Sequence, residues 1–248
     1  MRTFAVVNMK GGVGKTTTAM HLADGFARRG ARVLLVDADP QGTVAQVLRV
    51  RPERTLTDLM LGAAAEDVLV HDVRPGLDVI ASTPSAFTLD TRLAGTMQRE
   101  TVLRRALARV TGYDIAVVDC SPAMGLLTCN ALLFAQELVV PIGMEPMAIT
   151  GAVQTLDGVD EIRALWPDHA VTLRVALPTG VNPTTHATRA ALAAIGRDAR
   201  LEAARLTAGI RQCIDLTYAA AAGQTIWEYA PGSRAAADYT ALLDALTA

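Results

Sequence analysis

Only two lysines occur in this 248-residue chain; the other 21 of its 23 basic residues are arginine. Both lysines lie in one glycine-rich stretch, Met9-Lys10-Gly11-Gly12-Val13-Gly14-Lys15-Thr16-Thr17. Glycines let a backbone curl so that several N–H groups converge without Cβ clashes. The positive end of a following helix adds its dipole, and the result is a cradle for phosphate. A lysine at position 15 can reach the β- and γ-phosphates of a nucleotide, and the Thr16 hydroxyl can ligate Mg²⁺ beside them. The strict GxxxxGK[ST] spacing is not met, because Met9 holds the first glycine position; the GK[ST] half is intact.

Three aspartates complete the set of residues that could do chemistry. Asp37 and Asp39 lie in VLLVDADPQG, two apart, so an extended backbone puts both carboxylates on one side. Asp119 follows the apolar run DIAVV and opens Asp119-Cys120-Ser121-Pro122. Mg²⁺ favours carboxylates, often through water, beside phosphate oxygens. Other metals are not indicated. Cys120, Cys129 and Cys213 form no CxxC pair, and His21, His71, His169 and His186 are scattered. The cysteines read as reduced cytosolic thiols, with Cys120 a packing residue rather than a nucleophile.

The elements that must position these groups are legible as a strand–helix alternation. Thr3–Asn8 reads as a buried strand, Thr16–Arg29 as an amphipathic helix stopped by Gly30, and Arg32–Val36 as a second apolar strand. Further strands are expected at Leu77–Ala81, Asp114–Val118, Glu137–Pro141 and Val171–Leu177. Helices are expected at Glu100–Val110, Leu126–Phe134, Ala148–Leu165, Thr185–Ile195 and Ser233–Leu246, and 198–223 is ambiguous. Continuous rather than alternating apolar strands imply a parallel sheet covered on both faces. The fold class is therefore α/β: a single doubly wound, mostly parallel sheet with helices on both faces, in one domain over 1–248.

Composition narrows the function classes. Hydrophobic residues make up 51% and charged residues 19%, which excludes a disordered chain. The net charge of −2 supplies no global field toward nucleic acid or membrane, so such contacts must be local. The apolar run after Arg2 is too short for a signal peptide, and no stretch approaches the ~20 residues that span a bilayer.

KGGVGKTT resembles the deviant Walker A motif of the ParA/MinD group of P-loop ATPases. That resemblance implies ATP and Mg²⁺ as cofactors, with Lys10, Gly11, Gly12, Val13, Gly14, Lys15, Thr16 and Thr17 holding the nucleotide. It also implies a catalytic Lys10 that reaches across an ATP-bound sandwich homodimer to the partner's nucleotide. Such a cation in trans suits a reaction that runs mostly on positioning and charge neutralisation. DADPQG resembles the group's switch I segment, which makes Asp39 the residue that orients the attacking water and Asp37 a support of the Mg²⁺ shell. DCSP resembles its Walker B and switch II region, which places Asp119 with Thr16 and Asp37 at the metal; Ser121 replaces a common proline. PIGMEPMAITG is similar to a segment in which Glu145 contributes to the dimer face. GIRQCIDLTYAAAAGQTIWEYAPGSRAAADY is similar to the closing segment, with Tyr218 where a glutamate is usual.

Within the group, DNA-partitioning members bind DNA nonspecifically through arginines and lysines, an attraction that is salt-sensitive. Residues 186–211 carry Arg189, Arg197, Arg200, Arg205 and Arg211 against Asp198 and Glu202, and Arg189 and Arg211 are the expected DNA contacts. The ending DYTALLDALTA has no basic residue, unlike the basic amphipathic helix of membrane-targeted members, so no membrane is expected. A strand beginning at residue 3 leaves no room for an N-terminal helix-turn-helix, and operator-specific autoregulation is not expected. The resemblance thus implies a cytoplasmic, nucleoid-associated ATPase. A ParB-like or other adaptor would stimulate hydrolysis, and the cargo would be a chromosome, a plasmid or a protein body. The alternative is a metabolic P-loop enzyme coupling hydrolysis to small-molecule chemistry, favoured by a deep polar pocket at the γ-phosphate.

Overall fold

The computed structural model describes residues 1–169 and 171–247. Eight strands form one sheet: β1 Arg2–Val6, β2 Val33–Ala38, β3 Leu69–Arg74, β4 Leu77–Ile80, β5 Ile115–Cys120, β6 Glu137–Gly143, β7 Thr172–Val181 and β8 Ile210–Arg211. Their order is β3-β4-β2-β5-β1-β6-β7-β8. All neighbours are parallel except the β3–β4 hairpin at one edge. Among the described residues, five helices have nine or more residues: α1 Lys15–Arg28, α2 Leu126–Phe134, α3 Pro146–Leu165, α4 His186–Ile195 and α5 Arg234–Thr247.

Both faces of the sheet are buried, which is why its central strands read as unbroken apolar runs. Ala5, Leu34, Val36, Ala116 and Val118 face one core, with α2 and α3 over it. Phe4, Val6, Val33, Leu35 and Val117 face the other, with α1 and α5 over it. Phe4 and Phe26 stack there at 5.7 Å. Fully burying an aliphatic or aromatic side chain of this size contributes about 1.5–3 kcal/mol, so the two layers fix the strand register firmly.

The expected α/β class and sheet are present, with shifted ends. Strand β5 runs on through Asp119 to Cys120, and only Val102–Leu107 of the expected 100–110 helix is α-helical, after a 3₁₀ turn at Arg99–Thr101. Strand β3 was not foreseen. It lies on the sheet edge, half-exposed, with Asp72 at φ 53° and a register shift between Val70 and Arg74, so it lacks a clean alternation. The ambiguous tail resolves into a short helix Ala199–Ala203, the two-residue β8 and a helix Asp215–Ala222.

The topology sets the site. Strand β1 lies between β5 and β6, the point where the strand order reverses. In open α/β sheets the crevice outside the carboxyl ends of the strands at such a point takes the ligand.

Candidate nucleotide-binding site

The glycine loop leaves β1 at this crevice and enters α1. Gly12 and Gly14 have φ of 77° and 87°, a left-handed backbone that side chains rarely adopt. Gly14 caps α1 without a side-chain acceptor, and no acid lies in the first turn. The first N–H groups of the helix are thus left facing the loop, where an anion would satisfy them.

The loop is braced from behind by residues the sequence did not single out. Asn8 Nδ2 donates to the carbonyls of Pro141 (2.8 Å) and Ala148 (3.3 Å), and its Oδ1 accepts the Lys10 N–H at 2.8 Å. Thr155 on α3 accepts the Met9 N–H at 3.0 Å, and the Thr179 hydroxyl donates to the Val13 carbonyl at 2.9 Å. Gly151 permits the close approach of α3: a Cβ there would lie 2.7 Å from Asn8 Oδ1 and 2.9 Å from Lys10 Cβ. Apart from the local Asn8–Lys10 bond, these contacts join residues more than 130 apart in sequence, so no local pattern shows them.

Lys15 is 7% exposed. Its ammonium donates to the Lys10 carbonyl at 2.9 Å, folded back on its own loop. Burial lowers its pKa, opposed by the charge of Asp119. Asp37 and Asp119 are paired in the β2–β5 register, and Val6 of β1 is paired with Asp119. Both carboxylates thus stand at the strand ends beside which the loop leaves β1.

The three aspartates differ in their surroundings. Asp37 accepts the N–H of Asp39 at 3.0 Å and of Val44 at 3.3 Å, so it also shapes the turn that follows it. Burial pushes Asp37 up to about 7, against those N–H groups. Asp119 is fully buried, and neither carboxylate oxygen has a well-formed hydrogen bond, although the Thr16 hydroxyl lies close enough to favour the ionised form. Burial, then the charge of Asp37, push Asp119 up. Asp39 is 9% exposed at the mouth and accepts the Gln41 N–H at 2.9 Å.

A buried carboxylate without donors costs free energy unless it is protonated or meets a cation. The donor set around it, two carboxylates and a hydroxyl beside a phosphate cradle, fits Mg²⁺. Among the described residues no group of three or more His, Cys, Asp or Glu could enclose a metal by itself, so a cation here would share its shell with water and phosphate oxygens. Cys120 is fully buried, and burial pushes its thiol pKa up, which leaves it a packing residue.

Beside the loop opens a cavity of about 720 Å³, lined by Gly12, Gly14, Thr17, Gly143, Gln212 and Tyr239 among others. Its size suits a nucleoside next to the phosphate cradle. A smaller cleft of about 290 Å³ lies between Asp39–Gln41 and Ser121–Leu127, walled by Pro40, Phe87 and Pro122.

Of the two expected DNA contacts, Arg189 lies away from the loop and Arg211 lies beside it. Arg189 is exposed on α4, its guanidinium 3.4 Å from the Thr184 carbonyl. Arg211, on β8, lines the larger cavity and donates to both oxygens of the buried Asp238 on α5 at 2.7–3.0 Å. Glu145 is exposed at the start of α3.

A parallel sheet with this loop at its switch point defines a P-loop nucleotide-binding fold. Comparison with known proteins agrees. An "AAA domain" family profile matches residues 1–169. The chromosome-partitioning ATPase Soj of Thermus thermophilus is 44% identical over 66% of this chain and 64% of its own length. The chromosome partitioning protein ParA of Caulobacter vibrioides is 38% identical over 66% and 64%. The crystal structure of cobyrinic acid a,c-diamide synthase from Mycobacterium smegmatis, with bound ADP and magnesium, superposes with a TM-score of 0.85 at 29% identity, covering 99% of this chain and 94% of that one. The chain belongs to this AAA-domain family and is similar to the ParA and Soj partitioning ATPases. It spans just under two thirds of the length of the two curated relatives. Among the described residues no helix is long and apolar enough to cross a membrane.

Proposed function

We propose that this protein is a Mg²⁺-dependent ATPase that partitions or positions a cargo on DNA. The observation that carries the reading is the meeting of the Gly11–Thr17 loop with Asp37 and Asp119, register partners at the sheet's switch point. Lys15, the loop N–H groups and the start of α1 hold the phosphates, and the nucleoside fills the adjoining cavity. Thr16 and Asp119 would hold Mg²⁺, which would supply charge neutralisation at the phosphates, and Asp37 would support that shell while ordering the Asp39 turn. Asp39, more open than the other two, orients the attacking water. Lys10 serves the nucleotide of a second copy, so that ATP drives a homodimer. The dimer binds DNA without sequence preference and an adaptor stimulates hydrolysis, in a cytoplasmic, nucleoid-associated cycle. The cargo would be a chromosome, a plasmid or a protein body, and the likeness to Soj and ParA supports DNA segregation.

The structural likeness to a diamide synthase favours a second reading, in which hydrolysis drives chemistry on a small substrate. That chemistry needs polar groups around a substrate next to the γ-phosphate. The cleft beside Asp39 is only about 290 Å³ and is walled largely by proline, phenylalanine, alanine and leucine, which supports the partitioning reading.

Phosphate release and sedimentation of the purified protein with ATP and Mg²⁺ test the proposal. Lys15→Ala is expected to abolish turnover; retained turnover sinks the phosphate-loop assignment. Asp39→Ala is expected to slow hydrolysis by 10²-fold or more, in line with loss of a positioned proton-transfer or water-orienting group, and to accumulate an ATP-bound dimer. Turnover equal to wild type removes Asp39 from that role.

A further inference from the structure

The arginines of 186–211 are largely committed. Arg200 pairs with Asp157, Asp160 and Asp198 at 3.0 Å, Arg205 with Glu202 at 2.8 Å and Arg211 with Asp238 at 2.7 Å. Exposed pairs exchange cheaply for phosphate, but Asp238 is buried, and releasing Arg211 would strand its carboxylate.

A different set of arginines is uncommitted. Arg92, Arg105 and Leu59–Ala63 line a cleft of about 490 Å³. Arg32, Arg109 and Thr111 line an adjoining one of about 580 Å³, and both clefts share Ala63 and Ala106, so they form one groove. All four arginines are exposed, and none has a carboxylate partner among the described residues. Among the described residues Arg105 donates only to the Gln98 carbonyl and the Thr101 hydroxyl. Of the two acids of the groove, Asp78 is enclosed by donors and Glu66 is exposed with one histidine contact. Asp78 accepts from the Tyr113 hydroxyl at 2.5 Å, from His71 at 2.8 Å and from the Asp72 N–H at 2.8 Å, and His71 also reaches Glu66 at 3.3 Å.

We infer that this groove, formed by Arg32, Arg92, Arg105 and Arg109, is a phosphate-contacting surface for duplex DNA, separate from the arginines of 186–211. It rests on the DNA-binding part of the proposed function. Four unpaired guanidinium groups with hydroxyls at Thr96 and Thr111 match the donors that bind phosphodiester oxygens. A concave surface receives the ridge of a duplex backbone, whereas a bilayer is flat. Among the described residues the groove has two aromatic rings, Tyr113 and His71, both held on Asp78, too few to stack the bases of a single strand. The groove lies at the amino ends of β2 and β5, with Arg32 next to β2 and Tyr113 close before β5. It is therefore at the opposite edge of the sheet from Asp37 and Asp119, and DNA there leaves the nucleotide crevice open.

The test is fluorescence anisotropy of a labelled mixed-sequence duplex, with ATP and Mg²⁺ present, across about 50–200 mM salt. Wild type is compared with the Arg92→Gln, Arg105→Gln, Arg109→Gln triple variant and with Arg189→Gln, Arg197→Gln; ATP binding in each reports that the fold is intact. Losing three phosphate contacts at about 0.9 each flattens the slope of log affinity against log salt by about 2.7 and weakens binding on the order of 10–100-fold. A triple variant with wild-type affinity and slope overturns the groove while the DNA reading stands. A wild type that binds no duplex in any nucleotide state overturns both. If the triple variant instead loses only sedimentation with phosphatidylglycerol vesicles, the surface is for lipid and the inference is wrong.

Discussion

Gly151 illustrates how much a single residue's size can set. It sits on α3, where an added Cβ would come within 2.7 Å of Asn8 Oδ1 and 3.1 Å of the Lys10 backbone nitrogen. Overpacking of this kind costs about 1–3 kcal/mol. Here the strain falls on the loop that would hold phosphate, because Asn8 is fixed by Pro141 and Ala148 behind it. Gly151→Ala is expected to lower ATP affinity about tenfold or more while the protein stays folded, measured by titration with a fluorescent nucleotide. Gly232→Ala, where a Cβ meets nothing within 4 Å, serves as the control and should bind as wild type. Equal affinity in both variants would show that α3 does not brace the loop. The residues proposed to touch phosphate were legible in the sequence, because glycine conformation and a lysine–threonine pair have few other uses after a strand. The brace was not, since Asn8, Gly151 and Thr155 act only through contacts made across the folded chain.

At the scale of elements, the sheet was legible from its apolar runs, and the wall of the cavity beside the loop was not. That wall is built by the segment from β8 to α5, whose amphipathic signals are short. His21 joins it to α1. The ring is buried, its Nδ1 lies 2.6 Å from the Thr17 carbonyl, and its Nε2 accepts the Ile226 N–H at 2.9 Å. It stacks on Tyr239 at 4.4 Å. An Nε2 that accepts must be unprotonated, so this joint requires a neutral ring. Burial lowers the His21 pKa to about 4 from an ordinary 6.5. A histidine depressed in the folded state contributes stability above its unfolded pKa and loses it as pH falls through the folded one. Stability is therefore expected to drop by at most about 3 kcal/mol between pH 6.5 and 4 on this account, read from denaturant midpoints. His21→Gln should be less stable at pH 7, having lost the stack, and its stability should fall less steeply over that range. A slope unchanged by the substitution would assign the acid sensitivity to other groups. A second tie joins β8 to α5: Arg211→Glu would remove the partner of the buried Asp238, so weaker DNA retention by that variant would report α5 packing as well as phosphate contact.

For the molecule as a whole, the question is how a chain of net charge −2 would make its activity depend on a second copy, as the proposed cycle requires. Lys10 and Lys15 lie at the two ends of one loop, and their backbones are treated differently. The Lys10 N–H is pinned by Asn8 and its carbonyl holds the Lys15 ammonium. The position of Lys10 is thus fixed, while Lys15 must leave that carbonyl to meet a phosphate. In the proposed cycle Lys15 serves the nucleotide of its own subunit and Lys10 that of its partner, where an added cation offsets the phosphate charge buried between two like-charged proteins. Lys15→Ala and Lys10→Ala should then fail differently. Lys15→Ala should lose ATP binding itself. Lys10→Ala should bind ATP as a monomer with affinity within a few-fold of wild type, yet sediment as a monomer with ATP and Mg²⁺ and release no more phosphate than background. Its DNA affinity should fall to that of the nucleotide-free protein, because a dimer doubles the phosphate contacts and steepens the salt dependence. A Lys10→Ala protein that dimerises and turns over ATP like wild type would place the second lysine outside the cycle.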